Sequence, residues 1–218
     1  MLRPKVFAAV MLPICLAAMP AIGSAQNDIP NYTGRAIGAS VNALSIKTTI
    51  SDTGQLQSPG TLSTQLATLN LPPILSTGLL TASTTAGSDR TASQASVANV
   101  NLSVLGIGIT ASVLTSNATA QACGGVTPAV SGGSTIVDLK VNGLSVNVTG
   151  APNQTVPLLI GTLIINEQKS SVSSDPSGAS AGLIVNALHL KVSGLADVVV
   201  ASAQASVLCG GMCGPPVF

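Results

Sequence analysis

The sequence predicts an all-β protein, two antiparallel sheets packed as a β-sandwich, and three observations predict it. Apolar residues recur with a period close to two along most of the chain. Turn clusters punctuate those runs, among them Ser51-Asp52-Thr53-Gly54, Ser131-Gly132-Gly133-Ser134 and Gly150-Ala151-Pro152-Asn153. Small side chains dominate, and only 7% of residues are charged. A core of Val, Leu, Ile and Ala still buries enough area, at about 25 cal/mol per Å², provided the sheets are large. A parallel β-solenoid is the alternative, since long strands of small residues also stack that way.

The chain opens on a leader. Arg3 and Lys5 precede an apolar run over 6–19, and Gly23 and Ala25 put small residues three and one before a cut after Ala25. Residues 1–25 are therefore read as a secretory signal peptide and 26–33 as a short N-terminal segment. One all-β domain follows over 34–210, then a tail over 211–218. Leu12-Pro13-Ile14-Cys15 is close to a lipobox, but Ile14 is too large for the position before the Cys. Removing the leader leaves 193 of the 218 residues, with six Lys or Arg against seven Asp or Glu. So few charges of both signs leave no footprint for nucleic acid or an anionic lipid surface. No stretch after the leader reaches the roughly 18 apolar residues of a membrane span. The tail carries no readable anchor. The expected location is extracellular, at the cell surface or in the periplasm.

The elements follow in order. Leu62, Leu66 and Leu69 have helical spacing, so one short helix is expected near 58–70. Over 98–104 apolar residues alternate with Asn99, Asn101 and Ser103. The phase slips at Leu105 and resumes at Ile107, which suggests bulges beside Gly106 and Gly108. Residues 156–165 read as one buried strand. Over 201–209, Ala, Val and Cys alternate with Ser202, Gln204 and Ser206, a half-buried strand. Two echoes point to related halves. Val41-Asn42-Ala43-Leu44-Ser45-Ile46 returns as Val141-Asn142-Gly143-Leu144-Ser145-Val146, and 116–125 returns as 202–211, each ending Cys-Gly-Gly.

Cys15 leaves with the leader, so Cys123, Cys209 and Cys213 remain in an oxidising compartment. Cys123 and Cys209 each close the long strand of a half, and they are expected to pair. Cys209–Cys213 is the competing pair. Under the long pairing, Cys213 is free or pairs between molecules.

Candidate chemistry is thin. His189 sits in Leu188-His189-Leu190-Lys191-Val192, where alternation sends the apolar residues inward and His189 with Lys191 outward, an exposed strand histidine. Glu167 is the only Glu and is read as ending an apolar strand, bonding local backbone. Asp52, Asp89 and Asp175 occupy turns, where their side chains bond nearby amides. There is no Gly-x-Ser-x-Gly, phosphate loop, His-Glu-x-x-His or calcium loop. The mature aromatics are Tyr32 and Phe218 alone, which argues against a stacking sugar site. No catalytic, cofactor or metal residue is assigned.

Several segments taken together resemble the bacterial choice-of-anchor P proteins. They are 34–42, Pro152-Asn153-Gln154-Thr155-Val156-Pro157, Asn166-Glu167-Gln168, Val185-Asn186-Ala187-Leu188-His189 and 197–209. Their order and spacing carry the likeness over about 34–210. The resemblance implies an exported domain whose relatives differ in their C-terminal surface anchors, and it supplies no catalytic residues. This chain departs from the pattern at Ile37, where an aromatic is expected, and in its lack of a readable anchor. The expected function is a non-enzymatic surface, matrix or adhesion domain with an extracellular matrix or surface partner. The alternative is an extracellular module that binds a glycan or peptide through backbone and Asn, Ser or Thr contacts.

Overall fold

The alternating sequence becomes fifteen strands and, among the described residues, no helix. The computed structural model describes residues 30–43, 46–175 and 178–210. The chain begins with β1 (Pro30–Ala43), β2 (Ile46–Asp52), β3 (Gly60–Leu66), β4 (Leu69–Leu71) and β5 (Leu75–Thr77). It continues with β6 (Leu80–Gly87), β7 (Arg90–Val104), β8 (Ile107–Gln121), β9 (Ala129–Val137) and β10 (Lys140–Val141). It ends with β11 (Leu144–Ser145), β12 (Gln154–Leu158), β13 (Gly161–Asp175), β14 (Gly178–Val192) and β15 (Ala196–Gly210). Sheet A has the order β12-β13-β14-β15-β1-β2; the other nine strands form sheet B around the β7–β8 hairpin. Every pairing is antiparallel, which is a sandwich and not a solenoid.

The expected helix near 58–70 is replaced by β3 and β4. All seven residues of β3 find backbone partners on β6, from Gly60 opposite Ala86 to Leu66 opposite Leu80. Thr61, Ser63 and Gln65 then alternate outward, and this period-two polar pattern overrides the leucine spacing. Residues 156–165 are two strands, not one. Leu159 and Ile160 form the turn between β12 and β13, and Leu159 is fully exposed. The domain also begins earlier than 34, because Pro30–Thr33 already pair with β15.

The slip at Leu105 is a hairpin turn, not a bulge. Leu105 and Gly106 take φ of 52° and 81° between β7 and β8, the two left-handed positions of a type I′ turn. The real phase slips lie elsewhere and line up. In sheet A, pairing skips one residue on each strand, between Glu167–Asn186 and Ile165–Leu188, and between Ser202–Ile37 and Val200–Ala39. A further skip falls at Gly38 and Ser51. The β7–β8 pair skips at Asn99 and Ser112. Along this seam Ser51, Asn99, Asn166 and Ala201 have positive φ between 51° and 55°. Each long strand changes parity there, so Ala203, Ala205 and Val207 face the core on one side of the seam, and Val198 and Val200 on the other.

The interior falls into two clusters, which part at the seam on β14 and β15, while in sheet B the first reaches past it to Ala95 and Leu114. One is built of large side chains such as Leu102, Ile109, Leu114, Leu163 and Leu190. The other is mostly small: Ala118, Ala120, Ala122, Ala203 and Ala205, with Tyr32 and the cysteines. Small residues let the sheets approach until side chains of one bond the backbone of the other. Ser93 Oγ donates to Gln204 O (2.6 Å) and Thr91 Oγ1 to Ser206 O (3.0 Å). Gly34 serves the same approach, since a Cβ there would lie 2.2 Å from Thr84 Oγ1.

Cys123 and Cys209 form a disulfide, with Cα atoms 5.5 Å apart, joining the segment after β8 to the end of β15 and so tying sheet B to sheet A. Cys213 and the leader lie outside the described residues. The two echoes divide. Segments 116–121 and 202–207 fall on β8 and β15, each the second arm of a long hairpin. Val41 lies in β1 of sheet A, whereas Val141 lies in the short β10 of sheet B, so that anchor is not structurally equivalent. No helix among the described residues is long and apolar enough to cross a membrane.

Candidate functional site

The titratable side chains gather where the seam crosses β13 and β14. Leu163 and Ile165 face the core, and plain alternation would send Glu167 after them. The skip at Asn166 reverses parity, so Glu167 comes to the outer face opposite Asn186. Leu188, Leu190 and Val192 belong to the core, which leaves His189 and Lys191 on that same outer face. The sequence thus indicates His189's face correctly but not its exposure. Its side chain is only 9% exposed, and that of Glu167 only 6%. Glu167 does not end a strand either; β13 continues to Asp175.

The network is continuous. Glu167 Oε2 accepts Asn186 Nδ2 at 2.7 Å and faces His189 Nδ1 at 2.6 Å. Its Oε1 receives Lys191 Nζ at 3.2 Å, with Lys169 Nζ at 3.8 Å. His189 Nε2 lies 3.0 Å from Asp197 Oδ1 on β15. Ser202 Oγ donates to Asn186 Oδ1 at 2.7 Å. Five side chains on three strands are therefore wired in sequence: Ser202, Asn186, Glu167, His189 and Asp197. A second pair lies further along the same face, where Arg35 Nε donates to Asp52 Oδ1 at 2.9 Å. Hydrogen bonding to Arg35 lowers the Asp52 pKa against a smaller opposing effect of burial.

Burial pushes the Glu167 pKa upward. Hydrogen bonds from Asn186 and His189, the charge on His189 and the bond from Lys191 outweigh it and hold the carboxyl at about 2, against an ordinary 4.5. A carboxylate with this many donors is ionised throughout the physiological range and is no proton donor.

The geometry decides what the network can do. Each ring nitrogen of His189 faces a carboxylate oxygen, an arrangement satisfied when both carry hydrogen and donate. A histidine acting as a general base needs one nitrogen free to take a proton from its nucleophile. Ser202, the nearest hydroxyl in the chain of bonds, points its hydrogen at Asn186 and not at the ring. The carboxylate–imidazole–carboxylate row therefore cross-links β13, β14 and β15 beside the seam, where backbone pairing is interrupted. Among the described residues no group of three or more His, Cys, Asp or Glu is arranged to hold a metal ion. A shallow depression of about 390 Å³ at the β14–β15 turn adjoins Lys191 and Asp197.

Sequence reading finds Glu167 and His189 but not their partnership, nor Asn186, Asp197 and Ser202. The signal was an Asn and a His in the apolar run of β14, with the register that sets Asn186 opposite Glu167. Compared with family models, curated proteins and solved structures, the chain matches none.

Proposed function

We propose that this chain is an exported, non-enzymatic surface or matrix domain, as its resemblance to the choice-of-anchor P proteins implies. The observation that carries the reading is the saturation of its titratable cluster: both His189 nitrogens and the Glu167 carboxylate are committed to internal partners. Such a cluster stiffens a sheet; it does not turn over a substrate. Export is supported by the leader pattern and by the Cys123–Cys209 bond, a linkage that persists in oxidising compartments. The test is fractionation of cells expressing the full chain, together with assays of ester, glycoside and peptide hydrolysis on the purified protein. The reading expects the protein outside the cytosol and no turnover. Turnover that disappears in Glu167→Gln with folding retained would overturn the non-enzymatic part. A protein held in the cytosol with its leader intact would overturn the export part.

A further inference from the structure

The two outer faces of the sandwich differ in kind. The outer face of sheet A carries the Glu167–His189 network and the Arg35–Asp52 pair. Between its rims, the outer face of sheet B, across β3, β6, β7, β8 and β9, carries no charge. Its five strands pair in register, so outward residues fall into rows. One row runs Gln65, Thr81, Ser96, Thr115, Thr135 from edge to edge. Two parallel rows pass through Asn117 and Thr119, and only Ala92 and Gly133 interrupt their run of Ser, Thr, Asn and Gln. Charged groups stand at the rims alone. Arg90 is bonded to Gln121 at one end (3.2 Å), and Asp138 accepts from Ser112 at the other (2.8 Å).

We infer that this face is a contact surface for a neutral, polyhydroxylated polymer: an uncharged polysaccharide. The inference rests on the surface-domain reading and names its partner class. Among the described residues, the only side-chain hydrogen bond within the array joins Thr61 and Thr85 (3.1 Å). The other hydroxyls and amides are offered to whatever lies against the face. Strands set them about 4.8 Å apart along a row, with rows about 6.7 Å apart. Six of the positions are threonines, whose branched Cβ restricts χ1, so the donors are held in place before binding.

The chemistry selects the occupant. An anionic or cationic partner would be desolvated against this face without finding a counter-charge. A peptide strand adds to a sheet edge through free backbone groups, whereas across β6, β7 and β8, the middle of this face, the backbone is already spent in the ladder. A second copy packed face to face would need apolar residues between the sheets. A neutral glycan presents hydroxyls that both donate and accept, as the array does. Each such bond contributes little in water, because it replaces a bond to water. Retention therefore depends on many contacts along one polymer, and it grows with chain length.

The experiment is retention of the full protein on insoluble cellulose, with soluble dextrans of graded length and alginate as competitors, at low and high salt. The triple variant T81V/T115V/T119V removes three hydroxyls while keeping shape and strand propensity. The control T33V/S171A alters the outer face of sheet A. Expected results are retention on cellulose that is insensitive to salt, competition that strengthens with dextran length, and at least tenfold weaker retention of the triple variant alone. No retention on cellulose and no effect of dextran overturns this inference, while the fractionation test still decides the surface-domain reading. Salt-sensitive capture by alginate overturns it, as does equal loss in both variants. A concentration-dependent dimer abolished by the triple variant reassigns the face to a second copy.

Discussion

Acid titration of Glu167 gives a sharp test of the network. The perturbation is Glu167→Gln, which keeps the shape of the side chain and removes its titration. The folded pKa of about 2 lies below the ordinary 4.5, so the folded state favours the ionised carboxylate. A depressed pKa stabilises fully above the unfolded value and progressively less as pH falls to the folded one. The window is therefore about pH 4.5 down to about 2. Each tenfold in proton affinity is about 1.4 kcal/mol, so the change from 4.5 to about 2 corresponds to about 3 kcal/mol. Urea unfolding of both proteins at a series of pH values measures it. Asp52 and the remaining carboxylates titrate in both, so the difference isolates Glu167. The wild type should lose about 3 kcal/mol more than the variant across the window. Parallel curves would refute the geometry, because a carboxylate without these donors would have nothing to lose.

Other outcomes follow from the same structure. Non-reducing peptide mapping should recover a peptide linking Cys123 to Cys209; a Cys209–Cys213 peptide with Cys123 alkylated would contradict the structure. Replacing both Cys123 and Cys209 by Ser should cost up to about 4.5 kcal/mol in the chain-entropy model, given the sequence separation of 86. Gly34→Ala drives a methyl to within 2.2 Å of Thr84 Oγ1 and should destabilise by roughly 1–3 kcal/mol, whereas Gly87→Ala, with nothing within 4 Å, should be close to neutral; equal denaturation midpoints for the two would argue against the close approach of the sheets. Intact mass of exported protein should begin at Gln26, and retention of residues 1–25 would refute the leader reading.

The fold class was legible because a half-buried strand writes its pattern locally. Ala203, Ala205, Val207 and Cys209 alternate with polar residues whatever lies across the sheet. The seam was not, because a skip of one residue looks in one strand like a chance pair of apolar neighbours, as at Val200-Ala201. It becomes visible only when five strands show it in register. The type I′ turn at Leu105-Gly106 was missed because its first left-handed position holds Leu, where turn rules look for Asn, Asp or Gly. The disulfide was readable from two Cys-Gly-Gly strand ends. Glu167 and His189 were readable as unusual residues, but their partnership was not. They lie 22 residues apart on neighbouring strands. Alternation counted from Leu163 puts Glu167 on the wrong face, since the parity change at Asn166 leaves no mark in the sequence.

The measurement that bears most directly on the account is cellulose retention of His189→Gln beside T81V/T115V/T119V, with the reducing ends of the polymer assayed in the same tubes. The expected result is that His189→Gln, once shown to be folded, binds like the wild type, that the triple variant does not, and that no reducing ends are released by any of them. Cleavage of the polymer, or retention lost in folded His189→Gln and kept in the triple variant, would contradict it: the charged face of sheet A, not the neutral face of sheet B, would then carry the function.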